Sequence, residues 1–477
     1  MGPNYTAPEI AIKEAWVVGR GSEEEIVSDW WNLFDEPLLT QIIEKGVIFN
    51  KDILAAEANI LQAIALKQVA ASNLFPQIGA DLSATKTYFS KNGPLFAIGP
   101  AAGSATGAVS TTTGLPFAIQ TPQIQNLFNA LFDVSWQIDL FGKTRRGVEA
   151  AVASIESAID EKNGMLLVVM SEIARTYMQL RSSQTLALLA EENLALLEKK
   201  GEILLKSLKA GYINQLDYEA IGDEIASAKA LLPPLIAECY QSIYALSVLT
   251  GEPPETLLPT LLPPREMPSL PKTIALGIRS EVLKRRPDVR SAERKLAAAT
   301  ANIGVAVASF FPAITLYGDG GLQSLQFNNL FNWQSRTWDY GGGVMTPIYQ
   351  GGLLFGQLHA SQAARTFAAA NYEQVVLSAL QEAERYIMSY HQDMKKLESL
   401  EISLQKRKRL VFLTEARVEV GLTDQMQLID MQREFIAAEE TYTSGVTQSL
   451  YDLISLYKSL GGGWNAEEEA CENGEKS

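Results

Sequence analysis

Asp424, Met426 and Asp430 set two carboxylates around an apolar side chain within seven positions, a grouping that could attract cations but that offers no nucleophile. On a helix, positions 426 and 430 share a face, so copies set around an axis would place an apolar ring beside a carboxylate ring. A carboxylate ring passes cations and resists anions. The same residues admit a plainer reading, with Asp424 as a helix N-cap and Asp430 as a solvated charge. Asp217 and Glu219, beyond an earlier glycine turn, could add to the field.

Other chemistry is thinly provided. His359 and His391 are the only histidines and Cys239 and Cys471 the only cysteines, so neither a histidine-rich metal site nor a disulfide framework is available. Gly142-Lys-Thr144 ends like a phosphate-binding loop, but Gln137 stands where that loop's first glycine belongs. Gly142 reads instead as a strand-to-helix turn. Gly318-Asp-Gly-Gly321 and Gly341-Gly-Gly343 fall within strand patterns, where glycine marks a bend or a close approach. With no nucleophile paired to a base, the chain reads as a non-enzyme that holds no cofactor or metal. A net charge of −15 argues against nucleic acid, whose phosphates need clustered Lys and Arg, and suits an opening that prefers cations.

Long elements must position these residues. Shifting the sequence by 236 positions lays Asp52, Ala56, Glu57, Phe75 and Pro76 on Asp288, Ala292, Glu293, Phe311 and Pro312, with ten identities across residues 52–78. A period that long excludes solenoids and propellers and implies two large units of one architecture. Residues 143–210 and 353–420 contain no proline or turn cluster, and each reads as a helix of roughly 100 Å at 1.5 Å per residue. Gly211 and Gly421 end these helices, and returning helices follow, the first with a kink expected at Pro233-Pro234. A shift of 210 lays Leu397, Leu400, Leu404, Val411 and Val418 on Ala187, Ala190, Leu194, Gly201 and Leu208. That is the spacing of a coiled-coil seam, interrupted by Arg407 and Thr414. An ordinary helical bundle explains the spacing equally well, but not the length.

After Phe75-Pro76 the apolar period changes to two. Ile78, Ala80, Leu82 and Ala84 alternate with polar or small residues, as do Phe132, Val134, Trp136, Ile138 and Leu140, then Ile314 and Leu316, then Trp338, Tyr340, Val344 and Ile348. Each half therefore holds one hairpin, and the chain four strands, at about 77–89, 127–141, 313–323 and 336–349. The longest apolar run, 165–170, is far short of the 18 residues of a transmembrane helix, which leaves a β-barrel open. Four strands cannot close a membrane barrel, which needs about eight because lipid cannot satisfy an open edge. If these strands meet lipid, the chain must share its barrel with other copies. A soluble four-stranded sheet covered by helices is the competing reading.

Gly2-Pro-Asn-Tyr, Trp30-Trp-Asn-Leu-Phe-Asp-Glu-Pro, Phe75-Pro76, Asp139-Leu-Phe-Gly142, Leu249-Thr-Gly251, Arg285-Arg-Pro-Asp288, Phe310-Phe-Pro312, Pro347-Ile-Tyr349 and Leu460-Gly-Gly-Gly-Trp464 follow one another in this order. With them the chain resembles the TolC-like outer-membrane channels, in particular the lipoprotein channel subunits of resistance-nodulation-division tripartite efflux pumps. The likeness runs from the first residues to about residue 465. It implies a mixed, mainly α fold: a homotrimer with a twelve-stranded outer-membrane β-barrel, four strands from each chain, continued by a twelve-helix periplasmic α-barrel with a mixed equatorial domain. On that plan residues 1–40 form an extended N-terminal segment, 41–250 the first repeat, 251–275 an equatorial linker, 276–460 the second repeat and 461–477 a tail.

The resemblance also implies roles. The tips Gly211, Tyr212 and Ile213, and Gly421, Leu422 and Thr423, would meet a periplasmic adaptor (membrane fusion) protein, while an inner-membrane pump of the resistance-nodulation-division type loads the substrate. Each glycine also supplies a left-handed turn, but exposed Tyr212, Ile213 and Leu422 fit a partner better than solvent. Similar channels narrow at a leucine and an aspartate, which correspond here to Met426 and Asp430, and Asp424 lies at the same entrance. Arg417 matches the arginine of a family latch whose tyrosine is replaced by Val418. The resemblance implies a place in the outer membrane, in contact with its lipid; family members usually carry an export signal and a lipid-bearing cysteine before Gly-Pro-Asn-Tyr, whereas this chain starts at Met1, which reads as a start with the export signal removed or, alternatively, as a protein that is not exported. Drugs, metals, solvents and peptides remain open as substrates. A coiled-coil periplasmic scaffold and a type I protein-secretion duct are the alternatives, and the amphipathic strands discriminate against a mere tether.

Overall fold

A computed structural model describes residues 1–8, 16, 29–90, 123–271 and 279–463. Cys471, most of the connection between the first two strands and the tail beyond residue 463 lie outside the described residues. In chain order the elements are α1 (Pro37–Phe49), α2 (Lys51–Ser72), β1 (Gln77–Tyr88), β2 (Ile124–Ile138), α3 (Lys143–Lys209), α4 (Gln215–Leu249), α5 (Leu258–Leu261), α6 (Arg279–Arg285), α7 (Pro287–Ala308), β3 (Ala313–Ser324), β4 (Arg336–Met345), α8 (Leu353–Glu419) and α9 (Gln425–Ser459).

The duplication survives in the element bounds. α3 and α8 are each 67 residues long and α4 and α9 each 35, and all four of their ends differ by 210 positions. α4 runs on through Pro233 and Pro234. Contacts nonetheless interleave the halves into two compact units. One comprises Met1–Asn4, Leu66–Ala151 and Thr300–Gln362; the other comprises Tyr5–Ala65, Val152–Ala299 and Ala363–Ser477.

The first unit holds the sheet. Its order is β1-β2-β3-β4, antiparallel throughout, with Gln77 opposite Ser135, Val134 opposite Gly318 and Ala313 opposite Met345. Ile78, Leu82, Phe132, Trp338, Tyr340 and Val344 are all exposed, so among the described residues no layer covers the apolar face of the sheet. On the polar face Asp133, Asp319 and Asp339 lie side by side across three strands. Asp139 Oδ2 accepts the Arg145 amide at 2.8 Å and Gly142 takes φ +82°, so Gly142-Lys-Thr144 is the strand-to-helix turn. The N-terminus straps onto this corner. The Met1 amino group donates to Phe141 O at 3.3 Å, and Gly2, at φ +89°, lies so near Gly304 that a Cβ would come within 2.6 Å of its Cα.

The second unit contains the main core. Trp30 stacks on Tyr457 at 5.7 Å, and Phe34, Ile43, Ile173, Tyr177 and Leu453 close around them. Residues 37–72 are long and apolar enough, by composition, to cross a membrane. Asn50 breaks them into α1 and α2, with ψ 135° and a side chain that accepts the Asp52 amide at 2.8 Å. The 251–271 segment is held on α3, where Arg181 Nη1 donates to Pro263 O at 3.3 Å and Gln184 Nε2 to Leu261 O at 2.8 Å. Arg181 is itself fully buried, which desolvates a guanidinium that also donates to Gln184 Oε1 and the Tyr177 hydroxyl. Burial holds the Tyr177 hydroxyl up at about 12. Along the seam the helices approach closely at glycines: a Cβ added at Gly201 would come within 3.1 Å of Ile225 Cδ1, and one at Gly445 within 3.1 Å of the Leu397 and Leu400 side chains.

Candidate functional site

The two helical hairpins end in the same turn. Helix α3 closes with Gly211 N–H to Leu208 O at 3.0 Å and Tyr212 N–H to Ser207 O at 2.9 Å, and α8 closes with Gly421 N–H to Val418 O at 3.0 Å and Leu422 N–H to Arg417 O at 2.9 Å. These are paired Schellman bonds, and they need φ of +76° and +73° at the two glycines. Three residues later a side chain caps the returning helix: Asn214 accepts the Asp217 amide at 2.9 Å and Asp424 the Gln427 amide at 2.8 Å. Asp424 is therefore an N-cap. Tyr212 is 85% exposed and Leu422 70%, while Ile213 and Thr423 are half-buried. Large apolar side chains held outward by rigid turns have no role in the chain's own packing.

Below the turns, Met426 is half-buried and Asp430 has a partner that its own segment does not supply. Lys200 Nζ on α3 donates to Asp430 Oδ1 at 2.6 Å. The lysine side chain is 15% exposed and the carboxylate 45%, so the cation is tucked in and the anion faces outward. One turn on, Arg433 donates to Glu224 Oε2 on α4 at 2.9 Å and to Asn193 Oδ1 on α3 at 3.2 Å. Arg407 meets Glu434 at 2.5 Å. The second hairpin is thus fastened to the first by Lys200, Asn193 and Glu224. No hydrogen bond or ion pair among the described residues joins the two tip turns directly, and the Arg417 side chain is exposed with no hydrogen-bond or ion-pair partner among them. Glu219 bonds only within its own helix, to Gln215 at 2.9 Å, and Asp217 is exposed.

Asn193, Lys200, Glu224 and Arg433 escaped the sequence reading. Asn193 and Lys200 are seven apart on α3, and Asp430 and Arg433 three apart on α9, so each pair shares a face. That signal gives faces but not which faces meet. Farther along the hairpin, Asp393 on α8 sits against Asp452 on α9. Burial and the neighbouring carboxyl push Asp393 up to about 6.

Comparisons with known proteins bear on the fold and the family. Residues 47–252 and 278–462 match the family described as Outer membrane efflux protein. The antibiotic efflux pump outer membrane protein ArpC of Pseudomonas putida is 26% identical over 472 residues, covering 97% of this chain and 92% of ArpC. Among solved structures, the outer-membrane channel OprN is similar with a TM-score of 0.82 at 28% identity, covering 97% of this chain and 99% of that one. The Campylobacter jejuni CmeC outer membrane channel has a TM-score of 0.84 at 20% identity over 100% of this chain and 97% of its own, a likeness of fold. The chain belongs to the outer membrane efflux protein family: it is an outer-membrane channel reaching into the periplasm, part of a tripartite efflux pump with an adaptor and an inner-membrane pump, and not an enzyme.

Proposed function

We propose that three copies of the chain form one conduit, with a twelve-stranded barrel in outer-membrane lipid and twelve helices across the periplasm, gated at the periplasmic tips. The observation that carries this reading is the sheet. Among the described residues β1 and β4 each pair on one side only, and the apolar face is bare. In lipid an unpaired edge is untenable, so the edges must be closed by other copies. Three copies supply twelve strands, a number within the range of outer-membrane barrels.

In this reading Asp424, Met426 and Asp430 line the entrance, and the outward carboxylate of Asp430 gives it a preference for cations. Lys200, Arg433 and Glu224 hold the resting state closed by fastening the second hairpin to the first. Arg417 is left to reach a neighbouring copy. Gly211, Tyr212 and Ile213, with Gly421, Leu422 and Thr423, present the apolar knobs on which the adaptor docks, and the pump behind it is of the resistance-nodulation-division type. Substrate choice belongs to that pump.

Native mass spectrometry in detergent tests the assembly: the expected mass is about 157 kDa, three times 52.2 kDa, and a stable 52.2 kDa species contradicts it. Single-channel recording tests the entrance. Asp430→Ala should lower the preference for cations over anions and weaken block by divalent ions, and an unchanged selectivity removes Asp430 from the lumen.

A further inference from the structure

In all three registers of the sheet, even-numbered residues pair with even and odd with odd, so parity tells which face a side chain occupies. The odd-numbered face carries Asp81, Asp133, Asp319 and Asp339, and every charge on it is negative. The even-numbered face is the apolar one. Its only charges are positive: Lys86 on β1 and Arg336 on β4, both exposed. The strand ends joined to helices, at Gln77, Ile138, Ala313 and Met345, all lie at one end of the sheet. Lys86 and Arg336 lie toward the other end, where the two hairpin connections are. Each is eight residues from the apolar side chain that begins its strand face at the helix end, Ile78 for Lys86 and Val344 for Arg336. Eight residues are about 27 Å along a strand, or about 21 Å of height at a tilt of about 40°, close to the apolar band of about 25 Å on an outer-membrane barrel.

Nothing at this end neutralises the two cations. Residues 82–132 and 320–338 hold the outer parts of all four strands and both connections, and they contain no Asp or Glu, in a chain with 55 of them. Besides Lys86 and Arg336 their one charge is Lys91. Among the described residues neither Lys86 nor Arg336 has a hydrogen-bond or ion-pair partner; Arg336 lies over the Trp333 ring, which leaves the N–H edge of its guanidinium open to an acceptor. Tyr88, Trp333, Trp338 and Tyr340 share this end and are 68–80% exposed. Rings with an apolar body and one polar edge suit the depth at which hydrocarbon gives way to headgroups.

We infer that this end of the even-numbered face binds the phosphate of an anionic lipid in the outer leaflet, through Lys86 and Arg336. The inference rests on the proposed barrel, in which that face meets lipid, and adds which lipid it selects. The helices reach into the periplasm, so the hairpin end faces outward. The occupant is a lipid because the apolar band below the two cations is one membrane tall. It is anionic because a zwitterionic headgroup brings its own ammonium, whereas two cations without a carboxylate call for an unneutralised phosphate. The guanidinium fork can take two phosphate oxygens at once and the ammonium a third. The four aspartates of the opposite face repel the same group, which keeps it outside the bore.

Native mass spectrometry of the full chain in detergent, titrated with diphosphoryl lipid A or with phosphatidylcholine, tests this. The wild-type trimer should take up lipid A at the lower concentration, and 1 M salt should remove that preference. Lys86→Gln with Arg336→Gln should weaken lipid A binding about 30-fold, roughly fivefold for each cation, and leave phosphatidylcholine binding unchanged. Lys86→Arg with Arg336→Lys keeps both charges and should bind like wild type. The wild-type preference and its salt dependence decide even where the glutamine variant does not assemble. A trimer with equal affinity for the two lipids, or a glutamine variant that binds lipid A as tightly as wild type, overturns the headgroup assignment and leaves the barrel standing. A wild-type chain that stays a monomer and takes up neither lipid overturns both.

Discussion

Removing the links between the hairpins should open the channel, by an amount that the geometry bounds. Lys200–Asp430 is a 2.6 Å pair with one partner nearly covered and the other half-exposed, which puts it near the upper end of exposed pairs, about 1 kcal/mol. Arg433, at 28% exposure with Glu224 at 2.9 Å and Asn193 beside it, contributes a similar amount. Lys200→Ala with Arg433→Ala therefore removes about 2 kcal/mol per chain, which shifts the open-to-closed ratio about 30-fold for one hairpin moving alone. If three hairpins move together, the shift is about 6 kcal/mol, or roughly four decades. The assay is open probability of single channels in a planar bilayer at 0.1 M salt. The gap between variant and wild type should narrow at 1 M, where the Debye length falls from about 10 Å to about 3 Å. The charge swap Lys200→Asp with Asp430→Lys should restore closure. Wild-type open probability in the double alanine variant at low salt would refute the reasoning, because the hairpins would then be held by something else.

The Asp393–Asp452 contact makes stability depend on pH. Because the folded chain holds a proton on Asp393 up to about 6, above the ordinary 3.8, the folded state binds more protons than the unfolded one between those values, and stability falls as pH rises through that window. Asp393→Asn should flatten that slope and raise the melting temperature at pH 7.5; a variant with the wild-type slope contradicts it. Arg286 donates from Nη2 to Asp288 at 2.7 Å and to Glu382 at 2.9 Å, and from Nη1 to Ser459 O at 2.8 Å. Arg286→Ala should cost about 3 kcal/mol in thermal or denaturant unfolding, and Arg286→Lys should recover little of it because a single ammonium cannot replace the fork. A lysine variant as stable as wild type would place the stabilisation in charge alone. The two shifts that relate the halves also carry the Val134–Gly318 strand pair to Val344 and Leu82, on the two open edges. Nitroxides at Leu82 and Val344 of the assembled protein should therefore lie at neighbouring-strand distance, about 5 Å between Cβ atoms, and give strongly broadened spectra; spectra of isolated labels contradict that pairing.

Periodicity made the long elements legible. The expected helices at 143–210 and 353–420 became α3 and α8, ending one residue earlier, because long runs without proline and a terminal glycine leave little room for another conformation. The strands were found with ends a few residues off. β2 begins at Ile124 rather than about 127, and β4 stops at Met345 rather than about 349, two residues before Pro347. Pro233 and Pro234 do not end the helix, which continues through them to Leu249. The tips were legible because each turn spells its own geometry: a glycine at positive φ, then an Asn or Asp cap three residues later. What was not legible was register between distant helices. Lys200 and Asp430 are 230 residues apart, and nothing local to either says that they meet. Asp430 read alone is a bare carboxylate, and with Lys200 beneath it becomes half of a link.

The central claim is that these chains together make a conducting tube. Single-channel recording of the purified 157 kDa species (three times 52.2 kDa), using the Lys200→Ala/Arg433→Ala variant to favour the open state, tests it most directly. Stepwise, cation-selective currents that disappear when the species is dissociated to monomers are the predicted result. Bilayers that stay silent at every protein concentration would contradict the account.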